Sequence, residues 1–349
     1  MTSADLPLVD ASGPSRPAPK TPSGGVVIGV DIGGTKVAAG LVDSNGRVIH
    51  RLARPTPVQD GAALEATVVE MVRKLEGRAG PLRAVGVAAA GLVDSETSTI
   101  LYSPNIPSWR GERVGHNLSA TLRAPVILEN DANAAAWAEA RFGAGRGYRN
   151  QVCVTIGTGI GGAVIISGNL VRGENGLAGE VGHMIVEPDG RTCGCGSRGC
   201  WEPYASGSAL ARRARELAGD EPERLSAPPA RSADEATTPV ITGESVLAAA
   251  RAGDRVALAA YAECGEWLGV GLSTLAAVLN PALVVISGGA AAAGDLILAP
   301  ARATMRSLMF AGAAFGAPEV RLGLLGPDAG LIGAADLART ELRSRTPSS

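Results

Sequence analysis

Two stretches of the chain repeat one pattern, and the repeat limits the folds open to it. VVIGVDIGGTKVAAGLVD (26–43) and NQVCVTIGTGIGGAVIISG (150–168) each read as an apolar strand, a glycine turn and a second apolar strand. Aligning Gly33 with Gly157 sets Asp31 opposite Thr155. Two similar β-hairpins predict a duplicated architecture with a cleft between the halves. The rest of the pattern predicts strands near 84–89, 126–128, 283–287 and 320–323, with the hairpin strands at 26–31, 37–42, 151–156 and 163–167. Helices are predicted near 61–77, 131–142, 206–218, 244–253, 255–278 and 330–343. Strands mixed with helices argue for α/β layers.

At 349 residues the chain has material for two domains with sizeable cores. We expect a disordered tail at 1–25, where five prolines occur among few large apolar residues, and a second low-order stretch at 219–243. The expected division is a small α/β domain at 26–128, completed by the helix at 330–343, and a large α/β domain at 129–329. A formal charge of −2 gives no electrostatic reason to expect nucleic acid or an anionic membrane as partner. The start MTSADLPLVD has no apolar signal core, and no run reaches the roughly 18 apolar residues of a spanning helix. Clustered Cys beside His, among only five cysteines, fits a reducing cytoplasm better than a disulfide framework.

Three of those cysteines and one histidine crowd a single loop: His183, Cys193, Cys195 and Cys200, in GEVGHMIVEPDGRTCGCGSRGCWE. Thiolates and imidazole suit zinc, and four such ligands close a tetrahedral shell, as in structural sites. Glu180 and Glu202 flank the loop, so a metal clip there would hold two acidic groups on a rigid polar surface.

Gly157, Gly159 and Gly162 match G-x-G-x-x-G, but AVIISG after the turn reads as a strand where dinucleotide binding requires a helix. Gly33, Gly34, Thr35 and Lys36 lack the spacing of a Walker loop. Both turns can still bring backbone N–H groups to an anion without a Cβ in the way, and Thr35 and Thr158 add hydroxyl donors. Asp31 at the mouth of the first turn would repel phosphate unless Mg²⁺ bridged them. Either turn alone reads equally well as an ordinary hairpin or as a phosphate site; the pair with Asp31 favours phosphate binding.

APVILENDANAAAWAEARFGAG (124–145) reads as a buried strand, a polar break and a helix. Asn130 or Asp131 sits at the cap position, where a short polar side chain bonds free N–H groups. The functional alternative is a strand-end carboxylate that accepts a proton from a substrate hydroxyl, as kinases use an Asp. Glu129, Asn130, Asp131 and Asn133 are denser in polar groups than a cap requires.

Together these motifs resemble the sugar kinases of the ROK family, over about residues 26–340. DIGGTK looks like its first phosphate motif, GTGIGG its second, ENDANAAA its catalytic segment, and GEVGH with CGCGSRGCWE its sugar-and-zinc signature; VVISGG (284–289), with Gly288 and Gly289, resembles its adenosine-side motif. The run GTGIGGAVIISGNLVRGENGLAGEVGH is most similar to ATP-dependent glucokinases of actinobacteria. The resemblance implies the duplicated actin-like/hexokinase (ribonuclease H-like) fold, with glucose and ATP as substrates and Mg²⁺ and structural zinc as metals. A homo-oligomer, dimer or tetramer, is a further family-based expectation. It implies Asp131 as the base for the sugar 6-hydroxyl, with Gly91, Asn105, Asn130, Glu180, His183 and Glu202 around the sugar. His183 would serve zinc with one ring nitrogen and the sugar with the other. Rival readings are a kinase for mannose, fructose or an N-acetylhexosamine, polyphosphate as donor, and a sugar-responsive repressor of the same family. For the repressor, the proline-rich residues before the first strand are too few and too broken for a helix-turn-helix.

Overall fold

β-Branched runs interrupted by glycine set the strands. In the first half these are β1 (Val26–Ile32), β2 (Lys36–Val42), β3 (Val48–Pro55) and β4 (Leu82–Ala89), then the short pair β5 (Leu92–Asp94) and β6 (Thr99–Tyr102), then β7 (Val126–Asn130). The second half holds β8 (Gln151–Ile156), β9 (Ile160–Ile166), β10 (Asn169–Val171), β11 (Leu283–Ser287) and β12 (Glu319–Leu322). This computed structural model describes residues 26–219, 221, 225, 241–310 and 316–345. The expected tail at 1–25, and most of the 219–243 stretch, lie outside the described residues.

The two large sheets have one topology. Their strand orders are β3-β2-β1-β4-β7 and β10-β9-β8-β11-β12. In each, a three-stranded antiparallel meander is followed by two parallel strands. The register carries the repeat to single residues. Asp31 pairs with Ala38 across its hairpin and with Ala88 on the parallel side. Thr155 likewise pairs with Gly161 and with Ser287.

Helices complete five layers. α1 (Gly61–Ala79) and α2 (Val114–Leu122) cover one face of the first sheet, burying Leu64, Val68, Met71, Leu75 and Leu118. Asp60 caps α1 through the Ala63 N–H at 3.0 Å. α3 (Asp131–Phe142) packs on the second sheet through Ala136. The far face of that sheet carries α5 (Gly207–Ala218), α6 (Gly243–Arg251), α7 (Arg255–Leu279) and α8 (Asp295–Leu308), with α4 (Glu202–Ala205) at its edge. The last helix, α9 (Ala329–Arg345), crosses back to the first sheet and also packs on α3. It lies so close that any Cβ at Gly29 or Gly86 would strike its backbone carbonyls at Leu331 and Ala334. Overpacking of that kind costs about 1–3 kcal/mol or more, because backbone has no rotamer to relieve it.

Several elements escape the sequence pattern. β3 (VIHRLARP) is an edge strand with only partial burial, so its apolar alternation is weak. α8 contains Pro300, which ordinarily breaks a helix; here the proline packs against Gly265 of α7. α2, the β5–β6 pair and β10 are too short for a clear period.

Candidate active site and metal centre

Carboxyl ends of parallel strands gather the candidate residues, as in other open α/β sheets. β1, β4 and β7 run parallel, so Asp31, Gly91 and the Asn130–Asp131 pair emerge along one edge. In the second sheet β8 and β11 end side by side, with the Thr155 and Ser287 hydroxyls hydrogen-bonded at 2.9 Å. Gly157 and the Gly288–Gly289 pair follow directly.

The polar break at 129–133 resolves into separate tasks. Asn130 is the N-cap of α3: its Oδ1 accepts the Asn133 N–H at 3.0 Å, and its Nδ2 donates to the Gly91 carbonyl at 2.9 Å. Gly91 holds a φ of 130°, where a Cβ would lie 2.9 Å from Ser103 Cα, so the turn requires glycine. With the cap taken by Asn130, Asp131 is released from that role and accepts the Ala132 N–H at 2.9 Å. Burial pushes its carboxyl above the usual range. Asp31 is pushed up to about 7, by burial first and then by the Asp131 charge, against Lys36 and Arg51. Burial also raises Glu180, where His183 opposes the shift and Asp131 and Glu202 add to it. These mutual effects link both halves of the chain in one acidic cluster.

Around the cluster, the Asn105 side chain lies over the first turn: a Cβ at Gly34 would come 3.0 Å from its Cγ. Thr35, Lys36 and Thr158 are exposed beyond the turns. The first turn is braced from β3's end, where the Thr56 hydroxyl donates to the Gly33 carbonyl at 2.7 Å. Glu202, the first residue of α4, accepts the Ile160 N–H on its Oε2 at 2.9 Å.

The four candidate metal ligands offer atoms that all lie within 4.8 Å of one another. Donors about 2.3 Å from a tetrahedral zinc stand about 3.8 Å apart along each edge. Cys193 Sγ to His183 Nδ1 is 3.7 Å, and Cys195 Sγ to Cys200 Sγ is 3.7 Å. The Ser197 N–H lowers the Cys195 thiol to about 7, toward the ligating thiolate. Tight turns hold the set, with Cys193 N–H donating to the Ser197 carbonyl at 2.8 Å and an isolated bridge pairing Ile185 with Cys200. The residues therefore fit zinc in charge, number and spacing. His183 Nε2 faces the other way, 4.0 Å from Glu180 Oε2.

Sequence reasoning missed Arg172. It follows β10, and its Nε donates to Glu129 Oε2 at 2.7 Å. Glu129 is 3% exposed and also accepts from Asn133 Nδ2 and Asn130 N–H. The Arg172 carbonyl accepts the Ala178 N–H at 3.0 Å, on the path to Glu180. One arginine thus ties the Asp131 strand end to the Glu180 turn. The partners stand 43 residues apart, and no local signal marks them. Arg172→Ala should destabilise the fold by about 3 kcal/mol, the low end for breaking a buried pair, since the guanidinium is partly exposed. Arg172→Lys should recover most of it. Urea unfolding checks both; a loss below about 0.5 kcal/mol for the alanine variant would reduce the pair to a surface contact.

Paired sheets of one topology, with hairpins at their strand ends and an acidic cluster between, define the duplicated two-domain α/β fold of the actin-like/hexokinase group. The chain belongs to the ROK family, whose sequence profile matches residues 27–341. A glucokinase of Streptomyces coelicolor is 44% identical over 317 residues, 90% of this chain and 98% of that protein. The crystal structure of a ROK family glucokinase from Streptomyces griseus, in complex with glucose and AMPPNP, superimposes with a TM-score of 0.76 at 42% identity, covering 90% of this chain and 100% of that one. A ROK hexokinase from Thermus thermophilus gives 0.75 at 33% identity, covering 91% and 99%. Among the described residues no helix is long and apolar enough to cross a membrane.

Proposed function

We propose that this chain is an ATP-dependent glucokinase, transferring the γ-phosphoryl group of ATP to O6 of D-glucose. One observation carries the reading: Asp131, freed from capping by Asn130, stands in an acidic cluster between two phosphate-type hairpins. Likeness to a glucokinase solved with glucose and an ATP analogue supports glucose and ATP as the substrates.

In this mechanism Asn105, Asn130, Glu180, His183 and Glu202 read the sugar hydroxyls as fixed donors and acceptors. Asn130 does so with the N–H and lone pair that the cap and Gly91 leave over, and Gly91 serves by holding it. The O6–P bond forms as the bond from the γ-phosphorus to the β,γ-bridging oxygen breaks. The O6 proton passes to Asp131, and ADP leaves with the bond's electron pair. A carboxylate with a raised pKa is a stronger base and suits that proton transfer. Backbone N–H groups at Gly33–Lys36 and Gly157–Gly159 receive the phosphates, with Thr35 and Thr158 adding hydroxyls and Gly288–Gly289 flanking the adenosine. Asp31, a crowded carboxylate, would hold Mg²⁺, directly or through water; the ion would neutralise charge on the transferred group. Zinc on His183, Cys193, Cys195 and Cys200 would be structural, with no position left for substrate.

A coupled assay with Mg·ATP and a hexose panel tests the proposal. Glucose should give the highest kcat/KM, with mannose second because it differs only at C2. A higher value for fructose, N-acetylmannosamine or N-acetylglucosamine would keep the kinase and remove the glucokinase; no turnover of any hexose would remove both.

A further inference from the structure

Glycines in a phosphate-type hairpin are ordinarily explained by the ligand: a side chain would keep the phosphate from the backbone. The second hairpin divides that explanation between two positions. A Cβ at Gly157 would meet no protein atom within 4 Å, so the space beside it is open to a ligand. A Cβ at Gly159 would instead overlap the Glu202 Oε2 and stand 3.0 Å from its Cδ. That volume is already filled by a carboxylate, and the next residue's N–H, that of Ile160, donates to it at 2.9 Å. Gly159 is not in the left-handed region, so its backbone conformation does not call for glycine. The first hairpin has a looser parallel: Gly34 faces the Asn105 side chain, not open space.

We infer that Gly159 is a positioning residue for the sugar site. Its missing side chain leaves room for the Glu202 carboxylate to dock on the Ile160 amide, so the backbone of the nucleotide-side hairpin aims a sugar-binding group. The inference rests on the reading of Glu202 as a sugar ligand. The displaced atom is the far end of a flexible side chain, so a methyl group at 159 should swing the carboxylate away without unfolding the protein. A charge-assisted hydrogen bond set by that carboxylate is worth a factor of at least about 10 in affinity.

Glucose dissociation constants without nucleotide, and KM values for glucose and ATP, are measured for Gly159→Ala, Gly157→Ala, Glu202→Gln and the Gly159→Ala/Glu202→Gln double variant. Gly159→Ala should melt near the parent temperature and bind glucose at least about 10-fold more weakly, with its ATP KM changed less than about 3-fold. Gly157→Ala should show the reverse split. The double variant should bind glucose no more weakly than the worse single one, since both act through one carboxylate. Normal glucose binding with a raised ATP KM in Gly159→Ala overturns the inference and restores the phosphate explanation. If Glu202→Gln leaves glucose binding unchanged, the sugar-site reading fails instead. Should Gly159→Ala not fold, hydrogen exchange at the Ile160 amide of the parent protein decides. Protection that rises with saturating glucose supports the docked carboxylate, and unchanged protection refutes it.

Discussion

Asp131→Asn should lower kcat by about 10²–10⁴-fold, the range for a lost general base, while glucose binds nearly as before. Asparagine fits the same space and can still accept the Ala132 N–H, and the helix keeps its cap because Asn130 supplies it. What disappears is a group able to take the O6 proton. The pH profile adds a second signature. Burial raises the Asp131 pKa, and only the ionised form is a base. Turnover should therefore be complete above that raised value and fall as pH drops through it, with a midpoint above the ordinary carboxylate range. The residual activity of the asparagine variant should lack that limb. Steady-state kinetics across pH, with calorimetric glucose binding, checks both. Turnover within about threefold of the parent, well short of that range, would return Asp131 to a structural role.

Cys200→Ser should empty the metal centre. Cys200 is buried, and its Sγ lies 3.7 Å from that of Cys195, so serine removes one thiolate from a closed set of four. Metal analysis should find about one zinc per chain in the parent and almost none in the variant. Glucose affinity should fall at least about 10-fold, as when the groups that orient a site are lost, because His183 and Glu180 ride on the same loop. Stability should fall as well, since binding of a structural metal is coupled to folding of its loop. Chelator-treated parent should behave alike and recover on adding zinc. Fully active protein without metal would overturn the assignment.

The sequence showed what lies within a few residues of itself. Each hairpin and the Cys/His cluster occupies one short segment, so spacing alone exposed them, and the duplication showed because the two distant hairpins share one local pattern. The cap ambiguity at 130–131 needed coordinates, because only the Asn133 N–H and Gly91 carbonyl show which side chain is occupied. Arg172 with Glu129, and Glu202 with Ile160, join residues about 40 apart, and a pairing set by tertiary packing leaves no periodic trace. The glycines were legible as glycines but not in their reasons: Gly34 and Gly159 face side chains where the motif suggested phosphate. α8 was hidden by Pro300, which Gly265 of a neighbouring helix accommodates.

α9 has a consequence for how the molecule is made. The first sheet is spelled out by Asn130, yet the helix that covers its second face begins only at Ala329. At about 5–20 residues per second, a ribosome takes on the order of 10–40 s to synthesise the intervening stretch. During that interval the newborn first half presents the uncovered faces of Val27, Ala38 and Ala84 to solvent. The half that is translated first should thus be the last to become protected, and nascent chains stalled before Ala329 should be held by chaperones or cut by protease within β1–β4.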